Sequence, residues 1–134
     1  MTEKKRENIL SHCDLIEASI QEFYELTHSI DSMDILYQNR KEKLVVERLI
    51  NNICEGIHTI YKIHPHIENE YPLIEWSKTI GLRIILTHYY FKINNQKLWN
   101  AMTNSIPKLE KQIPGLRKFI ENDQTRSKDY STTR

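Results

Sequence analysis

Glycine and proline are scarce in this chain, with three and four occurrences among 134 residues. An all-β fold needs many tight turns built from such residues, so the shortage favours long helices with few connections. Cysteine is limited to Cys13 and Cys54. They form no CxxC pair, and both sit among apolar helical positions, so free buried thiols in a reducing compartment are expected. Charge of one sign is also missing. The formal net charge is +1, whereas a dedicated duplex binder usually shows a clear basic excess, so any contact with nucleic acid must come from a local patch. No apolar run approaches the ~20 residues of a membrane span, and Met1 to Asn8 is polar and charged rather than a secretory leader. The expectation is a cytoplasmic protein that makes no membrane contact.

What is present reads as one globular domain, with 39% apolar and 28% charged residues. It is short enough that self-association would help to bury a core. Ile9, Cys13, Ile16, Ile20, Phe23 and Thr27 alternate by steps of four and three, which marks one face of a helix over about 2–28. Residues 29–33 are polar and turn-like, with Ser29, Asp31 or Ser32 available as a cap. A second long helix is expected over 33–63, with Val46, Leu49, Ile53, Ile57 and Ile60 inward and 40–43 solvated. Prolines at 65 and 72 disfavour helix before them, which makes 64–72 a connection.

Pro72 suits the first turn of a third helix running to about Phe91, on a stripe of Leu73, Trp76, Ile80, Ile84 and Thr87. Leu82, Ile85, Leu86 and Tyr89 cover much of the remainder, so this helix is expected to be buried on most sides. Gly81 inside it would let another backbone come close. A fourth helix opens at Asn94 or Asn95 and places Leu98, Met102, Ile106, Leu109, Ile113, Leu116 and Ile120 inward, bent or broken at Pro107 and Pro114. The expected fold is therefore all-α: an up-down four-helix bundle with a kinked C-terminal helix over 1–121. A polar, mobile tail over 122–134 would follow it.

The third helix carries the chemistry. Arg83 offers a planar fork of donors suited to a phosphate, His88 titrates near neutrality, and Tyr90 adds a phenol. On a straight helix His88 lies roughly 140° around the axis from Arg83, whereas Tyr90 returns to within about 20° of it. Arg83 and Tyr90 thus share a face, and His88 would join them only through a distorted helix end or a second copy across a two-fold axis. The bland alternative pairs Arg83 with an acid of the second helix, Glu47 or Glu55, and leaves His88 as a satisfied polar group. His64 and His66 flank Pro65 without a third ligand at supporting spacing, so no metal site is expected. Trp76 and Trp99 read as core residues, and Lys4, Lys5 and Arg6 as a solvated helix start.

The ordered set Ile53-Cys54-Glu55-Gly56, Tyr71-Pro72-Leu73-Ile74-Glu75-Trp76, Gly81-Leu82-Arg83, His88-Tyr89-Tyr90, Leu98-Trp99 and Ser105-Ile106-Pro107-Lys108-Leu109 resembles the HepT-like family of the HEPN superfamily. The likeness runs from about Ile9 to Ile120 and includes the Arg-x4-6-His-x-Tyr signature. It implies an all-helical, metal-independent endoribonuclease without cofactor, the toxin of a type VII-like toxin–antitoxin module acting on tRNA or mRNA. Arg83 and His88 match the family's catalytic pair. Tyr90 matches the tyrosine that the usual partner, a minimal nucleotidyltransferase antitoxin, modifies with AMP. A homodimer or higher homo-oligomer is also implied. One position departs from the pattern, because Ile84 stands where the family most often has Asn or another polar residue directly after the Arg. That departure keeps open an alternative, a non-catalytic binding subunit of a nucleotidyltransferase complex. Glu75 replaces a common proline, a change compatible with a helix start.

Overall fold

The computed structural model describes residues 1–88 and 95–132, with side chains described up to 86 and from 95 to 123. It is an all-α helical bundle, without a strand among the described residues. Helix α1 (Glu3–Thr27) begins where the Thr2 hydroxyl accepts the Lys5 N–H at 3.1 Å, an N-cap that satisfies one of the open donors of the first turn. Its buried residues are Ile9, Cys13, Ile16, Ile20, Phe23 and Thr27, the stripe expected from the spacing.

The second helix is not continuous. Helix α2 (Met33–Gln38) and helix α3 (Arg40–Ile63) are separated at Asn39, which adopts an extended conformation with φ −114° and ψ 94°. Both the backbone N–H and the side-chain amide of Asn39 donate to the Ile35 carbonyl, at 3.2 and 3.0 Å. A short polar side chain thus takes up the groups that would have continued the helix. Apolar spacing does not register such a break. Helix α3 is the centre of the bundle, with α1 and α5 packed against it. A Cβ on Gly56 would stand 2.5 Å from Cγ1 of Ile16, so only glycine permits this approach of α1 to α3.

The connection after α3 contains one helical turn, α4 (Ile67–Glu70). Helix α5 (Trp76–His88) starts four residues later than expected. The Trp76 indole N–H donates to the Tyr71 carbonyl at 2.9 Å and its backbone N–H to the Ile74 carbonyl at 3.0 Å, which folds the intervening residues into a turn. Pro72 therefore lies outside the helix. Ile74, not Leu73, fills the core, and Leu73 is 65% exposed. The inward side of α5 carries Trp76 and Leu86, while Ile84 is 41% exposed. That corrects two expectations, the stripe through Leu73 and Ile84 and burial on most sides. A Cβ on Gly81 would meet nothing within 4 Å among the described residues, so the close backbone approach expected there is not seen among them.

Helix α6 (Asn95–Asn100) passes through a π-helical turn, Ala101–Ser105, into α7 (Ile106–Thr132). The Ile106 N–H bonds the Ala101 carbonyl five residues back. This wider turn precedes Pro107, which lacks a donor, and places it at the start of α7 where none is needed. Pro114 sits inside α7 at an exposed position. The polar residues from 122 on, expected as a mobile tail, continue α7 as helix to Thr132. The Tyr24 hydroxyl donates to Glu110 at 3.2 Å, and Arg117 pairs with Asp14 at 2.7 Å and with Glu17. Higher numbers on α1 thus meet lower numbers on α7, so the two helices run antiparallel. Among the described residues no helix is long and apolar enough to cross a membrane.

Candidate active site

The contact of α3 with α5 sets the position of Arg83. Its Nη1 donates to Oε1 of Glu55 at 3.1 Å, with the Arg side chain 19% and the Glu side chain 43% exposed. Of the two acids that could pair with it, Glu55 does so. Glu47 lies elsewhere in the bundle, buried, with its carboxyl raised by burial against the opposing charge of Lys43. One turn beyond Glu55, on the same face of α3, stands His58. Its Nδ1 is enclosed, with no hydrogen-bond partner among the described residues. Burial lowers the imidazole pKa, Arg83 and Lys62 lower it further, and Glu55 opposes them. His58 lies outside the sequence motif, and its three-residue spacing from Glu55 is the only sign of it in the sequence.

Cys54, next to Glu55, has its thiol pushed up to about 12, chiefly by burial, and Cys13 likewise. Neither is a thiolate nucleophile near neutral pH.

His88 closes α5 as a helical residue, so the backbone keeps it roughly 140° around the axis from Arg83. The structure does not bring the two positions onto one face. Instead Ser77, Gly81, Ile84 and His88 follow steps of four, three and four, a single stripe on which Ser77 and Ile84 are exposed. The side chain of His88 and the whole of Tyr90 lie outside the described residues, and with them the face that Arg83 and Tyr90 were expected to share.

A cleft of about 810 Å³ borders this stripe at Gly81. Leu82 and Ile85 line it together with Ala101, Ile106 and Leu109, and Arg83 is not among its lining residues. Trp76 is buried and Trp99 partly buried, in keeping with packing roles. His64 pairs with Glu70 at 2.9 Å. No group of three or more His, Cys, Asp or Glu side chains among the described residues is placed to hold a metal ion.

Comparison with known proteins places this arrangement in context. No solved structure matches the chain. "Putative RNase MJ1380" of Methanocaldococcus jannaschii is 29% identical over 100 residues, covering 75% of this chain and 87% of that protein. "Putative RNase MJ0127" of the same organism is 26% identical over 114 residues, 85% of this chain and 90% of the relative. "Putative RNase TTE0752" of Caldanaerobacter subterraneus subsp. tengcongensis is 38% identical over 66 residues, 49% and 56% of the two chains. The profile of the family described as "Ribonuclease HepT-like" matches residues 16–116. That span includes α3, α5 and the Glu55–Arg83 pair, and the chain belongs to the ribonuclease HepT-like family.

Proposed function

We propose that this protein is a metal-independent endoribonuclease and the toxin of a type VII-like toxin–antitoxin module in the cytoplasm, with tRNA or mRNA as substrate. The observation that carries the reading is Arg83 on α5, aimed by Glu55, in a chain of a ribonuclease family. The guanidinium would hold the scissile phosphate and offset the charge that develops on it. His88 would move a proton to or from the reacting oxygens. Because His88 turns away from Arg83 on its own helix, the site is completed by a second copy. The stripe Ser77, Gly81, Ile84 and His88 supports that contact, since Gly81 leaves open space and Ile84 is an exposed apolar residue.

Regulation belongs to the same reading. A nucleotidyltransferase antitoxin would attach AMP to Tyr90, and the added bulk and negative charge would compete for Arg83. The second reading, a non-catalytic binding subunit, rests on Ile84, which puts an exposed alkyl group where the family most often has a polar one. The deciding experiment incubates the purified full chain with RNA. The wild type is expected to leave 2′,3′-cyclic phosphate ends, and His88→Ala to leave the RNA intact. Equal inertness of both proteins, with both still binding the nucleotidyltransferase, would select the second reading.

A further inference from the structure

An enzyme that cuts RNA must hold several phosphates of the strand besides the one it attacks. A formal net charge of +1 leaves that task to a local patch, and helix α3 carries one. Lys41, Arg48, Glu55 and Lys62 stand seven residues apart within this single unbroken helix. Seven residues return to within about 20° of the same direction and advance by about 10.5 Å, so the four form one row on one side of α3. At the third place Glu55 is bound to Arg83 of α5 at 3.1 Å, which brings a guanidinium into the row. We propose that Lys41, Arg48 and Lys62 extend the Arg83 site into a track that binds the phosphates of single-stranded RNA on both sides of the scissile bond. This rests on the ribonuclease reading above and deepens it by naming the surface that holds the substrate.

The charges of the row are available. Lys41, Arg48 and Lys62 are exposed, and none of the three is held in an ion pair among the described residues. Leu44, Asn51, Asn52, His58 and Thr59, which share this side of α3, add no negative charge. Glu55 is the one acid in the row, and it is engaged with Arg83.

The row also passes the candidate active site rather than ending at it. The Ser77 hydroxyl, at the start of α5, donates at 2.9 Å to Glu68, which follows the end of α3, whereas Arg83 meets Glu55 well inside α3. Helix α5 therefore runs back along α3 and carries His88 from the level of Glu55 toward that of Arg48. Lys62 lies on the other side of Glu55. From Lys41 to Lys62 the row spans about 30 Å along one helix axis. A nearly straight row of that length fits an extended strand, whose backbone follows a charged groove. The phosphates of a duplex strand wind away around its axis.

The test measures binding of a short fluorescent oligouridylate by anisotropy over roughly 50 to 300 mM salt, with the full chain carrying His88→Ala so that the strand stays intact. Arg48→Gln on that background is expected to weaken binding roughly five- to tenfold at about 50 mM salt. It should also lower the slope of log affinity against log salt by about 0.7, the share of one phosphate contact on a single strand. Arg48→Lys keeps a point charge and should restore both. Replacing Lys41, Arg48 and Lys62 together by Gln should lower the slope by about 2. Lys118→Gln, the same change of charge on an exposed position of α7, should leave the slope as it was. If the triple variant binds within about twofold of its parent with the same slope, or Lys118→Gln weakens binding as much as Arg48→Gln, the track is overturned, and the ribonuclease reading stands on its own cleavage assay. Tighter binding of an equal-length duplex through the same residues would overturn the single-strand assignment. A wild type that binds through the row yet leaves RNA uncut would overturn the ribonuclease reading and keep the row as a binding surface alone.

Discussion

Arg83 on α5 is tied to Glu55 on α3 by one hydrogen-bonded ion pair of 3.1 Å, linking the helix that carries the motif to the centre of the bundle. The acid is half exposed, so the pair contributes little to folding, about 0.2–1 kcal/mol for exposed pairs. Its effect lies in the direction it gives the guanidinium. Glu55→Ala is expected to lower RNA cleavage by roughly tenfold or more through misorientation, with only a small drop in melting temperature. Parallel cleavage assays and thermal melts check this, and a large loss of stability with proportionate loss of activity would reject orientation as the cause.

Arg83→Lys preserves the charge but not the planar fork. Single-turnover cleavage should fall by roughly 100-fold or more, as when one donor to a developing oxyanion is removed. Circular dichroism should remain that of the helical wild type.

The glycines should respond in opposite ways. Gly56→Ala drives a methyl group into Ile16, and overpacking of this kind costs about 1–3 kcal/mol. Gly81→Ala meets nothing among the described residues and gains up to about 1 kcal/mol of helix propensity. Chemical denaturation at a concentration low enough to keep the protein monomeric distinguishes them. Gly81→Arg should in addition weaken self-association in sedimentation if the stripe through Ile84 and His88 meets a second copy.

Glu47 gives a pH signature. Burial raises its carboxyl pKa above the unfolded value, with Lys43 only partly opposing. Between the two values the folded protein holds a proton that the unfolded chain releases, so stability is lost as pH rises through that window and stays lost above it. Glu47→Gln removes the titration. It should raise the melting temperature at about pH 7, with the gain shrinking below about pH 4, where both states are largely protonated. A constant difference across that range would contradict the assignment.

Tyr90→Phe should remain toxic in cells yet resist neutralisation by a nucleotidyltransferase partner and ATP. Intact-mass and peptide spectrometry of the wild type should locate an added AMP on Tyr90, and AMP found on another residue would refute its assignment.

Much of the fold was legible because burial imposes a period. The stripe from Ile9 to Thr27 on α1, and Val46, Leu49, Ile53, Ile57 and Ile60 on α3, are buried as their spacing requires. Where local polar groups compete with the backbone, spacing misled. Asn39 ends α2 by capping it, and the Trp76 indole bond to Tyr71 delays α5 past Pro72. Leu73 and Ile84 are apolar residues left exposed, which hydropathy alone cannot distinguish from core.

The chain's sequence by itself determined its helical class, its family signature and the angular separation of Arg83 from His88, because helical geometry turns spacing directly into direction. Only the tertiary structure decided that Glu55 rather than Glu47 holds Arg83, and that Gly56 rather than Gly81 is where another helix comes close. Those are relations between different helices, fixed by how α1 and α5 pack on α3. Periodicity gives the face of each helix but not which residues of two faces meet.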